Sequence, residues 1–141
     1  MADDVLLNKI AIIERCVARV RDEYADDEAN LLSNQTRQDA IILNLQRACE
    51  ASIDLAMHLV RIHHLGIPQE TREAFALLRD AQRLPADLAE RMARMVGFRN
   101  IAVHDYRKLD LQIVKSIVTT RLDDFLQFTR VVLGTRAGPT P

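Results

Sequence analysis

Breakers are scarce in this chain: four glycines and four prolines in 141 residues, with Pro139 and Pro141 at the very end. So little punctuation, combined with abundant Leu, Ala, Arg, Glu and Asp, argues against a turn-rich β architecture. It predicts long helices and short connections. Cysteine is nearly absent. Cys16 and Cys49 stand at no spacing that a metal site or redox motif uses, so they read as reduced core thiols of a cytoplasmic protein. No stretch approaches the ~20 apolar residues of a membrane span. The start, Met1-Ala2-Asp3-Asp4, is acidic and lacks the basic segment of a secretory signal. No sign of charge dominates either. A net charge of −1 excludes a generally basic nucleic-acid binder, and no cluster of carboxylates suggests a metal.

What is present is helical periodicity in a soluble composition, 48% apolar and 28% charged. Leu6, Ile10, Ile13, Val17 and Val20 predict a first helix over about 3–24. Asp26 to Asn30 read as a polar connection. Ser33 or Asn34 caps a long second helix that runs to Leu65, with Gly66 as its stop and Pro68 beyond. Ile41, Leu45, Ala48, Ser52, Leu55, Leu59 and Ile62 form a heptad-like seam along it. Such a helix is ~45 Å long, more than a small bundle easily covers, which suggests a second subunit. A shorter helix over 69–82, another opened by Pro85, and a last one capped by Asp110 and running to Leu133 complete the set. The expected fold is an all-α, up-and-down bundle of four to five helices over residues 1–133, homodimeric, with 134–141 a disordered tail.

One run stands out: Arg99-Asn100-Ile101-Ala102-Val103-His104-Asp105-Tyr106. On an ideal helix Arg99 and His104 lie about 140° apart, so convergence on one phosphate requires the helix to loosen between them. Gly97 would permit that, and His104 would then sit at the helix end or in the turn. Chemically the pair suits RNA cleavage. An arginine fork stabilises charge on phosphate oxygens. Imidazole exchanges protons near neutral pH and can deprotonate a ribose 2′-OH. The products would be a cyclic phosphate and a free 5′ end, without a metal or cofactor. The scheme needs both a base and an acid, and two facing copies would supply two histidines. Residues 91–108 also hold Arg91, Arg94, Arg107 and Lys108, with Asp105 the single acid among them. This local basic patch is a candidate RNA contact. By residue type alone the run admits a plainer role: Arg and His complementing a helix C-terminus, and Tyr106 a packing aromatic.

The chain resembles the HepT-like toxins of the HEPN superfamily (higher eukaryotes and prokaryotes nucleotide-binding). The resemblance rests on the R-x4-6-H-x-Y motif at Arg99, His104 and Tyr106, within Met95 to Tyr106, and on the text from Leu45 to His58. It implies a ribonuclease toxin acting as a homodimer, with Arg99 on the phosphate, His104 as acid/base and Asn100 in support. It also implies a small nucleotidyltransferase antitoxin of the MntA type that neutralises the toxin by adding AMP to Tyr106. That modification would place bulk and negative charge where RNA phosphate must sit. A non-catalytic helical adaptor of such a nucleotidyltransferase is the alternative, and a purely structural helical dimer a third reading. His58, His63 and His64 lack the i, i+4 spacing of a helical zinc pair and read as surface residues. Glu50 and Asp54 belong to a solvated or subunit-facing stripe, and Met92 and Met95 to the core.

Overall fold

A computed structural model describes residues 3–136. Within them lie seven α-helices and one 3-10 turn: α1 (Asp4–Tyr24), α2 (Ala29–Leu32), α3 (Gln35–Ile62), α4 (Glu73–Asp80), α5 (Ala86–His104), the turn Tyr106–Lys108, α6 (Leu111–Thr120) and α7 (Leu122–Arg136). No strand occurs among the described residues. The long helices close a ring of contacts, α1 on α3, α3 on α5, α5 on α7, and α7 back on α1. The core inside that ring includes Leu6, Ile13, Ile41, Leu45, Leu55, Met92 and Phe125. Each such side chain, once fully buried, contributes ~1.5–3 kcal/mol relative to exposure. Phe75 of α4 meets Phe128 of α7 edge to face at 5.7 Å, which pins the short helix to the bundle.

The all-α architecture is as the sequence predicts, and the helix count is higher for local reasons. The last helix is broken at Arg121. Thr119 and Thr120 turn their hydroxyls back onto the carbonyls of Lys115 and Ser116, a pairing that bends helices. Short α2 occupies the expected polar connection. The helix expected over 69–82 spans only Glu73–Asp80, because the Glu73 carboxylate accepts the Gln69 N–H and holds 69–72 as turns.

Asn34 is the cap of α3, its side chain accepting the Arg37 N–H. The expected stop at Gly66 is corrected. The helix ends at Ile62, and His64 takes the left-handed conformation (φ 54°). Leu65 N–H then donates to the Val60 carbonyl and His64 N–H to that of Arg61. This is a Schellman closure made without glycine. At 28 residues α3 is about 42 Å long, yet α1, α2, α4 and α5 of the same chain pack along it. Its length therefore does not require a second subunit. Residues 134–136, expected in the tail, belong to α7, and the rest of that tail lies outside the described residues.

His58 is also corrected. It is 8% exposed, with Nε2 donating to the Asp3 carboxylate at 2.7 Å and Nδ1 accepting from Arg61. Asp3 simultaneously caps α1 by accepting the Leu6 N–H. The buried imidazole thus ties the first turn of α1 to the C-terminal part of α3. Cys16 and Cys49 are buried thiols with no disulfide. Burial pushes the Cys49 thiol far upward, out of the range of nucleophilic work.

Candidate functional site

Helix α5 carries most of the motif. Pro85 starts it, its carbonyl accepting the Ala89 N–H, and Leu88, Ala89, Met92, Met95 and Val96 anchor it in the core. The helix continues unbroken to His104. The expected loosening between Arg99 and His104 does not occur. Gly97 lies within the unbroken helix, where a Cβ would come within 2.9 Å of the flexible end of Arg72. The regular helix keeps Arg99 and His104 about 140° apart, so within one chain they face different directions.

Arg99 lies on the inner side of α5, half-buried, one turn beyond Met95 and one before Ala102. Its Nε is buried and has no hydrogen-bond partner among the described residues. Its charge reaches Cys49 on α3 and offsets part of that thiol's burial. An N–H left without an acceptor costs ~1–3 kcal/mol. His104 is the last residue of α5 and is exposed, as is Asn100 one turn earlier on the same face.

Tyr106 opens the 3-10 turn after Asp105 and is 45% exposed. Its hydroxyl donates to Asp39 Oδ1 on α3 at 3.0 Å. The same oxygen accepts the Gln35 side-chain amide at 2.9 Å. Partial burial and the Asp39 carboxylate hold the Tyr106 phenol above its ordinary range. Tyr106 is therefore tied to a second helix rather than packed as an inert aromatic. Asp39 escapes a reading of the sequence because it is 67 residues away and carries no local signal beyond an acid near a helix start.

The structure divides the basic residues. Arg91 is consumed within the fold: Nε binds the buried Asp124 carboxylate at 3.0 Å, Nη1 binds Asp87 and Nη2 binds Gln127. These bonds give the guanidinium a structural task beside its expected place in an RNA-contacting patch. Arg94 pairs with Glu90 and Lys108 with Asp105, both at the surface, and Arg107 is exposed. Arg91, Arg94 and Lys108 border an apolar groove of about 410 Å³ between α5 and α6, floored by Phe98, Ile113 and Ile117. Arg99, His104 and Tyr106 do not line it. Glu50 accepts a hydrogen bond from Gln46 within α3, whereas Asp54 pairs with Lys9 and so links α3 to α1. Among the described residues, no three His, Cys, Asp or Glu side chains gather as a metal ion would need. No helix among them is long and apolar enough to cross a membrane.

Residues 13–132 match the family described as ribonuclease HepT-like. The chain belongs to that family. It is 46% identical over 130 residues to the mRNA nuclease HepT of Shewanella oneidensis, covering 92% of this chain and 97% of that protein. The fold superimposes on a tri-AMPylated Shewanella oneidensis HEPN toxin in complex with MNT antitoxin. That match has a TM-score of 0.89 at 45% identity and covers 94% of this chain and 99% of that one. A toxin–antitoxin structure with AMP-PNP matches with the same TM-score, identity and coverage. The family resemblance carried by Arg99, His104 and Tyr106 therefore extends over nearly the whole domain.

Proposed function

We propose that this chain is an RNA endonuclease toxin of a toxin–antitoxin pair, silenced when a nucleotidyltransferase partner adds AMP to Tyr106. The observation that carries the nuclease reading is the Arg99 guanidinium, whose Nε lacks any acceptor among the described residues in a chain of a ribonuclease family. A scissile phosphate supplies that acceptor. His104, exposed at the end of α5, takes the proton from the ribose 2′-OH. The new O–P bond gives a 2′,3′-cyclic phosphate, and the departing 5′ oxygen takes a proton from a second imidazole. Arg99 and His104 diverge on one helix, so the complete set forms where two copies of the chain face each other. That arrangement supplies one histidine as base and another as acid. Asn100 shares the His104 face and steadies the ring or the RNA. Arg94, Arg107 and Lys108 give exposed charge to the RNA backbone, since the surface pairs of Arg94 and Lys108 are weak enough to exchange for phosphate.

Silencing follows from the same placement. Tyr106 lies two residues past His104, and an added AMP puts a phosphodiester anion beside the cleft and repels incoming RNA. The tri-AMPylated relative held by its MNT antitoxin supports this reading. The test is a cleavage assay on total RNA with the pure chain, its His104→Ala and Arg99→Ala variants, and EDTA. Cleavage that survives EDTA, yields cyclic-phosphate ends and disappears in both variants is the expected result. Folded, dimeric protein that never cleaves RNA would instead support a non-catalytic adaptor of the nucleotidyltransferase.

A further inference from the structure

We infer that Asp39 is the proton acceptor and positioning residue for AMP transfer to Tyr106, a role resting on the proposal that Tyr106 is the modified side chain. Tyr106 sits in a three-residue 3-10 turn that buries none of its residues, and it is nearly half exposed. A phenol in such a turn samples many orientations unless something fixes it. The fixing contact is the 3.0 Å hydrogen bond to Asp39 Oδ1. Asp39 is itself held: it lies on the long, rigid α3, and Gln35 one turn earlier donates to the same oxygen. The second oxygen, Oδ2, receives no hydrogen bond among those described.

The chemistry of the transfer needs such a group. A phenol is a poor nucleophile while protonated, and its proton must leave as the oxygen attacks. Here the Tyr106 oxygen forms a bond to the α-phosphorus of a nucleoside triphosphate carried by the partner. The bond from that phosphorus to the β-phosphate bridging oxygen breaks, and pyrophosphate leaves. The phenolic proton passes to the Asp39 carboxylate and then to water. Before the reaction, partial burial and then the hydrogen bond to Asp39 favour the neutral phenol and hold it above its ordinary range. This keeps the hydroxyl from ionising freely and reserves deprotonation for the moment of attack.

A purely electrostatic role for Asp39 predicts the opposite sign. A carboxylate beside the acceptor repels a triphosphate, so removing its charge would speed modification. The experiment uses the full chain with its purified partner nucleotidyltransferase and ATP, following AMP addition by intact mass. Asp39→Asn keeps an acceptor oxygen for the Tyr106 hydroxyl but cannot take its proton. We expect its turnover of AMP addition to fall about 10²-fold or more, with the KM for the toxin little changed and Asp39→Glu restoring part of the rate. Modification of Asp39→Asn at the native rate or faster overturns the role of Asp39 while leaving Tyr106 as acceptor. A lower rate that reflects only a raised KM also overturns it, since that signals lost docking. Tyr106→Phe tests the underlying reading separately: AMP addition to that variant at the native rate means Tyr106 is not the target. Melting temperatures of all variants are measured alongside, so loss of fold is seen directly.

Discussion

Replacing Arg91 separates residues that build the fold from those that meet substrate. Its guanidinium spans three acceptors, and the decisive one is Asp124, whose side chain is 8% exposed against 21% for Arg91. The other Asp124 oxygen has no hydrogen-bond partner among the described residues, so Arg91 is the described cation that compensates this buried charge. Breaking a fully buried pair by removing one partner costs ~3–5 kcal/mol. Water reaches part of this arginine, and the Asp87 contact is exposed and contributes ~0–1 kcal/mol. The expected loss for Arg91→Ala is therefore about 2–3 kcal/mol, at or just below the lower bound of the buried-pair range. For a domain of this size, each kcal/mol moves the melting temperature by roughly 3–5 °C, giving a drop of about 6–15 °C. Thermal melts followed by far-UV circular dichroism read this directly. Arg94→Ala is the internal control: it removes an arginine from the same groove, but the Arg94–Glu90 pair is about two-thirds exposed, so its change stays within about 0.5 kcal/mol. Arg91→Met combined with Asp124→Leu recovers most of the stability, because the charges leave together. An Arg91→Ala protein that melts like the native chain yet cleaves RNA tenfold more slowly would refute the reasoning and return Arg91 to the substrate.

Arg99→Met removes a buried N–H that has no acceptor among the described residues; stability in urea is expected to hold or rise by up to ~1 kcal/mol while RNA cleavage is lost. Gly97→Ala gains helix propensity worth ~0.8–1 kcal/mol, against a clash with the flexible end of Arg72 that can swing away; a higher melting temperature is expected, and a fall of several degrees would mean Arg72 is held there. The Asp3 carboxyl is held below its ordinary range first by the His58 hydrogen bond and then by the Leu6 N–H. Because the folded value is the lower one, this contribution is complete above about pH 4, is lost as pH falls through the folded value, and is absent from Asp3→Asn. Urea midpoints of the two proteins should differ at pH 7 and converge toward pH 2, and a gap that persists at pH 2 would exclude the carboxylate as its source.

The helices were legible because their signals are local. Apolar spacing placed α1, α3 and α5, and side-chain chemistry placed the caps at Asn34 and Asp110, both of which accept backbone N–H groups. Helix ends were less legible where a rule has substitutes. Glycine is the usual left-handed residue at a helix end, but here His64 and Gln82 adopt positive φ because the following Leu65 and Arg83 N–H groups close onto Val60 and Leu78 carbonyls. The break at Arg121 depends on where two threonine hydroxyls turn, which apolar periodicity does not register. His58 was misread for a different reason. A search for metal partners at helical spacing finds none, while its real partner, Asp3, lies 55 residues away.

The site divides along the same line between local and distant. Arg99, His104 and Tyr106 are recognisable as a motif, since chemistry and spacing lie within eight residues. What the motif does not contain is direction. A regular α5 turns Arg99 inward and His104 outward, so under the proposed nuclease reading one chain presents a single histidine of the acid–base pair and a second copy supplies the other. Nor does the motif contain its support. Arg91, close by and equally basic, is bound to Asp124 at 33 residues' distance, whereas Arg99 has no described hydrogen bond to compete with a phosphate. Tyr106 is oriented by Asp39, on a helix that ends long before the motif begins. Sequence proximity therefore overstates the basic patch and understates the tyrosine. Among the described residues, the arginine left without an acceptor and the tyrosine given one are the two motif groups that the fold sets apart, and the proposed function assigns the first to RNA and the second to AMP.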